Sequence, residues 1–171
     1  LVLMTMHRAT SFTAVRDEAV PLLGQVTLTF SDRFRRRIRL TMDSGEPIML
    51  DLAEVTQLSD GGFLSVGDGD GQVAVCAAVE EVLDVHTGDP TQLVRWAWHL
   101  GNRHLPVQFL GAEGLRLAWD PVIADMLRGL GADPQPAQAP FAPEGGAYGG
   151  GPTYGHRHAH HHGKGDHDHD H

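Results

Sequence analysis

The stretch from His156 to His171 reads His-Arg-His-Ala-His-His-His-Gly-Lys-Gly-Asp-His-Asp-His-Asp-His, with eight of the chain's 12 histidines in its sixteen positions. Neutral imidazole is a borderline ligand that suits nickel, zinc and copper, and a run of them offers one ion many overlapping donor sets. The aspartates between them can accept the second ring N–H of a ligating imidazole and offset the charge of the incoming cation. The candidate ligands are His156, His158, His160, His161, His162, His167, His169 and His171. No His run exceeds three, and Arg, Ala, Gly and Asp interrupt the series, which sets it apart from a uniform affinity tag. Such a composition binds divalent metal. Intrinsic affinity favours Cu(II) over Ni(II) and Zn(II), so selectivity has to come from a better-defined site or from supply. Imidazole must be neutral to ligate and has an unperturbed pKa of about 6.5, so loading should weaken as pH falls below that value.

Four histidines lie outside this stretch. His7 has no partner at ligand spacing, His86 ends a strand pattern, and His99 shares a helix face with Gln92 and Arg95; all three are expected in solvent. His104 is placed differently, in His99-Leu-Gly-Asn-Arg-His104-Leu-Pro106, just past a helix end. Gly101 and Asn102 permit a tight reversal that would project one imidazole from a short rigid loop. A hydrogen-bonded structural histidine is the alternative that residue types alone leave open.

The elements that must position these groups follow from periodicity. Residues 26–30 and 37–42 alternate as strands, and Asp43-Ser-Gly-Glu46, Asp60-Gly-Gly62 and Gly67-Asp-Gly-Asp-Gly71 punctuate them, which predicts a small antiparallel β domain. A calcium loop starting at Asp68 would need glycine where Val73 stands and glutamate where Val79 stands, so Asp68-Gly-Asp70 reads as a hairpin turn. Cys76 reads as a small apolar filler. From Glu80 a strand (Val82, Val85) precedes Asp89-Pro90, an N-cap followed by the residue favoured at the first helical position. Leu93, Trp96, Ala97 and Leu100 then recur at helical spacing. A second cycle has strands at 105–110 and 115–118, then a helix from Asp120-Pro121 whose Val122, Met126 and Leu130 share a face before Gly131. The order β-α-β-β-α lacks one strand of the ferredoxin-like sandwich. From Pro134 onward there is no Val, Ile, Leu or Met, while five of the 10 Pro and eight of the 21 Gly fall there. Most of that segment cannot offset its ordering entropy by burial.

Composition excludes several functions. A formal net charge of −9 repels phosphate backbones and anionic membranes, so neither nucleic acid nor membrane is an expected partner. The Arg33, Arg35, Arg36, Arg37 and Arg39 run alternates with Phe34, Ile38 and Leu40, the pattern of a solvated strand face or an acidic-partner contact. One Cys makes no intrachain disulfide, and the first thirty residues hold no apolar run of signal-peptide length, which together predict a soluble cytoplasmic protein. Neither a phosphate-binding Gly-x4-Gly-Lys-Ser/Thr loop nor a Gly-x-Ser-x-Gly nucleophile elbow is present, and no enzymatic activity is expected.

Gly101-Asn-Arg-His104 followed by Leu-Pro-Val-Gln108 resembles the signature loop of the urease accessory nickel chaperones of the UreE family. Asp89-Pro90, Asp125-Met-Leu-Arg128 and Pro140-Phe-Ala-Pro-Glu-Gly-Gly-Ala-Tyr148 before a His-rich end are similar to the same family in the same order. The resemblance is firm from about Glu80 onward and rests on strand and turn pattern alone before it. It implies an α+β chain: residues 1–78 as a β domain similar to the peptide-binding domain of heat-shock cochaperones, 79–141 as a ferredoxin-like (βαββαβ) metal-binding and dimerisation domain, and 142–171 as a flexible metal-binding tail. It further implies a homodimer in which His104 meets its two-fold mate and binds Ni(II), symmetry doubling a single ligand. Delivery would go through a urease-associated GTPase to the urease apoprotein. Two departures stand out. Leu117-Ala-Trp-Asp-Pro121 occupies positions where some relatives carry further ligands, and Pro134, Pro136 and Pro140 make the last expected strand an edge or weakly ordered one. A general divalent-metal buffer that uses only the His-rich stretch is the competing reading.

Overall fold

The computed structural model describes residues 6–145. Its first half is nearly all strand: β1 (His7–Thr13), β2 (Leu22–Leu28), a single-turn α1 (Phe30–Arg33), β3 (Phe34–Thr41), β4 (Pro47–Gln57), β5 (Phe63–Val66) and β6 (Gly71–Ala77). They form one sheet in the order β2-β6-β5-β1-β4-β3. Alternation along these strands sends Val26, Leu28, Leu40, Ile48, Leu50, Leu64, Val73 and Val75 to one face, where they build a hydrophobic core. The sheet is mixed, which corrects the antiparallel expectation, because β1 runs parallel to β4 and β2 parallel to β6. Period-two patterning identifies strands but carries nothing about direction, and these parallel pairs are made across long connections. Phe30 also departs from its expected strand. Thr29 caps α1, its side chain accepting from the Asp32 N–H, and turns the chain before β3 begins.

The sheet curls until its two ends meet at Asp43, whose N–H donates to the Gln25 carbonyl at 2.8 Å. The Asp43 carboxylate in turn accepts from Gln25 Nε2, Thr27 N and Thr27 Oγ1 at 2.7–3.1 Å. Those hydrogen bonds, from Thr27 and Gln25 in that order of weight, hold the Asp43 carboxyl below the usual carboxylate range. A carboxyl whose folded pKa is depressed contributes stability above its unfolded pKa of about 3.9 and loses it as pH falls through the folded value. Asp43→Asn is therefore expected to destabilise at neutral pH, with the gap to the parent chain closing below about pH 4. Urea denaturation across that range measures it, and a gap independent of pH would remove the carboxylate from the account.

The second half comprises β7 (Val79–His86), α2 (Pro90–Gly101), β8 (Gln108–Phe109), β9 (Gly114–Ala118), α3 (Pro121–Gly129) and β10 (Gln135–Pro140). Its strands order β10-β7-β9-β8, all neighbours antiparallel. Both helices start as the sequence predicts: the Asp89 carboxylate accepts from Thr91 N and the Asp120 carboxylate from Val122 N and Ile123 N, each followed by proline. Trp96 and Leu100 of α2 pack with Ala124 and Leu127 of α3 over Leu83, Val85, Leu115 and Leu117 of the sheet. The α3 face is rotated from the expected one: Val122 is exposed, and Ala124 and Leu127 are buried in its place. The strand expected over 105–110 shrinks to Gln108–Phe109. β10 takes the sheet edge, where its prolines cost no central ladder bond, and pairs with β7 from Gln135 opposite Asp84 to Pro140 opposite Val79. Directly opposite each other on β7 and β9, Asp84 and Arg116 make two bonds of 2.8 Å, which raises the Arg116 pKa.

Phe30, Val82 and Phe141 join the halves, with Phe30 and Phe141 packed edge to face at 5.3 Å between ring centroids. Arg33 lies fully buried among them, correcting its assignment to a solvated face. It donates from Nη1 to the Leu58 carbonyl and from Nη2 to that of Phe141. No helix among the described residues is long and apolar enough to cross a membrane.

Candidate metal centre

His104 is held by the way α2 stops. The Leu105 N–H reaches back to the Leu100 carbonyl and the His104 N–H to that of Gly101, the paired bonds of a Schellman cap. Leu100 is buried and Leu105 packs against the same core, completing the apolar contact that accompanies this cap. Such a cap needs one left-handed residue, and here it is His104 itself, at φ 55°, the one non-glycine residue with positive φ among those described. The reversal therefore sits two residues later than Gly101-Asn102 suggests; Asn102 is right-handed helical at φ −62° and ψ −19°. The end of α3 repeats the motif. Ala132 N–H bonds the Leu127 carbonyl and Gly131 N–H that of Arg128, with Gly131 left-handed at φ 82°. Leu100 thus corresponds to Leu127, Leu105 to Ala132 and His104 to Gly131. Where one helix uses glycine, the other places an imidazole at a cost of roughly 1 kcal/mol.

The His104 side chain is exposed, and its ring has no hydrogen-bond partner among the described residues. Both nitrogens are thus open to solvent. No group of three or more His, Cys, Asp or Glu among the described residues could hold a metal ion, so His104 does not form a site with its own neighbours. His86 is exposed, as expected, whereas His7 and His99 are half-buried, His99 against the Trp98 ring at 5.0 Å. The predicted ligands His156, His158, His160, His161, His162, His167, His169 and His171 lie outside the described residues.

Two features of this end of the molecule escaped the sequence reading. Val94 and Trp98, one turn apart on α2, are 68% and 62% exposed, an apolar stripe on the helix that presents His104. The segment leading toward the His-rich stretch is also tied beside the His104 loop. Glu144 N–H donates to the Val107 carbonyl at 2.8 Å, Ala142 N–H to Gln108 Oε1 at 2.9 Å, and Gln57 Nε2 to the Pro143 carbonyl at 3.4 Å. Val94 and Trp98 could have been found as apolar residues off the buried helical face; the tie to Val107, a backbone contact, leaves no mark in side-chain pattern.

Fold and site together define an α+β protein of two sheets with one solvent-facing imidazole at a helix end. Residues 80–171 match the family model described as the UreE urease accessory protein, C-terminal domain, and residues 14–78 match its N-terminal domain. The chain belongs to the UreE urease accessory protein family. It is 49% identical over 131 residues to a urease accessory protein UreE of Burkholderia ambifaria, covering 77% of this chain and 64% of that one. It is 50% identical over 131 residues to that of Paraburkholderia xenovorans, covering 77% and 57%. For Rhodopseudomonas palustris the figures are 49% over 128 residues, 75% and 59%. The match thus spans less than two thirds of the length of these relatives.

Proposed function

We propose that the chain is a nickel metallochaperone that serves urease maturation as an accessory and not as a catalyst. The observation that carries this reading is the free imidazole of His104, kept at a backbone position that glycine would fill more cheaply. Retaining a strained polar side chain in solvent has no return in packing and is explained by ligation. A second copy related by a two-fold axis supplies the second imidazole, and the exposed Val94 and Trp98 beside it offer the apolar contact for such a homodimer. In this reading the second half is the ferredoxin-like metal-binding and dimerisation domain, and the first sheet the peptide-binding-like one. The chain works in the cytoplasm, and a urease-associated GTPase and the urease apoprotein take the cargo.

Capture and hand-over follow from spacing. Val107, where Glu144 is bonded, is three positions on from His104, so the segment starts within about 10 Å of the imidazole-bearing backbone. His156 follows Glu144 by twelve positions, a length of chain that can span at most about 40 Å. The histidines His156 to His171 can therefore collect Ni(II), with Zn(II) and Cu(II) as competitors, and share it with the His104 pair.

Nickel titration by calorimetry tests this. Deleting residues 156–171 is expected to leave about one ion bound per pair of chains, and His104→Ala in that shortened chain to abolish it. If deletion alone removes all binding, the buffer reading replaces the chaperone one.

A further inference from the structure

At the start of β3 the sheet opens into a groove of about 710 Å³ lined by Phe30, Ser31, Phe34, Val55 and the arginines Arg35, Arg36 and Arg37. Two irregularities make it. Among the described residues β3 pairs with β4 alone, and the bonds that close the sheet toward β2 begin only at Asp43, so the outer side of β3 meets no described strand along residues 35–39. The ladder also jumps, with Arg35 opposite Thr56 but Arg37 opposite Asp51, so that β4 bulges and carries Val55 to the surface, 48% exposed. The result is an apolar floor beside an open strand edge, rimmed by guanidinium groups. Arg35 and Arg36 have no carboxylate within ion-pair distance among the described residues. Arg37 is only 4.0 Å from Asp51, a carboxylate that Arg8 already holds.

Resting on the reading of the first sheet as peptide-binding-like, we propose that this groove binds an acidic, extended peptide segment of a partner protein, which adds along the β3 edge, places carboxylates on Arg35 and Arg36 and sets an apolar side chain against Phe34 and Val55. Three adjacent arginines on a chain of net charge −9 concentrate positive potential in one place, and unpaired guanidinium groups are complementary to carboxylates. The open backbone edge supplies ladder bonds to an extended chain. Guarding the edge against aggregation also uses charge and bulges, but it does not call for an apolar floor beneath the charges. Nucleic acid would match the arginines as well, but the remaining acidic surface repels it.

The test uses the full chain and, as probe, a fluorescent peptide of about eight residues that alternates glutamate with phenylalanine and valine, read by anisotropy at low salt. Saturable binding is expected, weakened about tenfold or more by Arg35→Glu with Arg36→Glu, and weakened likewise by Val55→Asp and by serine in place of the apolar peptide residues. Should the double reversal fail to fold by circular dichroism, Arg35→Gln with Arg36→Gln carries the same reading. No binding by the acidic peptide, undiminished binding by the folded arginine variants, or tighter binding of a single-stranded oligonucleotide of equal length would overturn the proposal.

Discussion

The substitution His104→Gly is expected to make the chain more stable and less able to hold nickel. Glycine adopts φ 55° without a Cβ clash, and the α3 cap already uses it at the corresponding Gly131. Both capping bonds are backbone to backbone, and the Leu100–Leu105 contact is untouched, so nothing else in the motif depends on the imidazole. The gain is about 0.5–1 kcal/mol, offset in part by the greater freedom of glycine in the unfolded chain. For a chain of this size that raises Tm by about 1–4 °C. His104→Ala keeps the strain and loses the ligand, so it separates the two effects: it should bind as poorly as the glycine variant without the rise in Tm.

Nickel affinity at this position should fall by more than about 100-fold in both variants, because losing even the outer partners of a ligand costs 10–100-fold. The measurement belongs in the chain lacking residues 156–171, where no other histidine-rich stretch masks the loss. Unchanged nickel binding by His104→Gly would dismiss the site, and a lower Tm would show that the ring contributes to packing after all. The opposed signs follow from one fact: a position that favours glycine for folding is occupied by a residue useful only toward something outside the chain. Proteins commonly hold such strain where they bind or react.

What was legible in the sequence depended on how local its cause was. Asp89-Pro90 and Asp120-Pro121 announce helix starts because a side-chain cap acts within three residues, and both caps are where the spacing puts them. The turn at Gly67-Asp-Gly-Asp-Gly71 closes β5 onto β6 for the same reason. His104 could be singled out by its loop, but the residue bearing the reversal was misassigned, since Gly and Asn are the usual left-handed residues and histidine occupies that place only when the bonds on both sides fix it. Strand direction in the first sheet was not legible, because β1 pairs with β4 across the intervening β2 and β3, where no local pattern records it. Arg33 was invisible as a core residue: four arginines beside it on the chain are exposed, and what buries it is Phe141, 108 residues away.

That burial carries the second large effect. Arg33 sits at 5.9 Å over the Phe30 ring, with no carboxylate in ion-pair contact among the described residues and its Nε unpartnered. Desolvation lowers its pKa, with Glu80 and then Asp60 opposing from a distance. An arginine so costly to bury is held by the two carbonyls it serves, those of Leu58 just past β4 and Phe141 just past β10. Arg33→Ala leaves both oxygens unpaired and a cavity beneath Phe30, and is expected to destabilise by about 3–5 kcal/mol. Tm should then fall by about 6–20 °C. Arg33→Met fills the space and removes the desolvated charge, so its cost is smaller, about 1–2 kcal/mol. Both variants nevertheless release the Phe141 carbonyl, and the tie that follows it, Ala142 N–H on Gln108 and Glu144 N–H on Val107, should open. Hydrogen exchange at the Ala142 and Glu144 amides reads this directly: faster exchange is expected even in the milder Arg33→Met. Unchanged protection there would mean that the segment beside His104 is positioned without Arg33, whatever the loss in Tm.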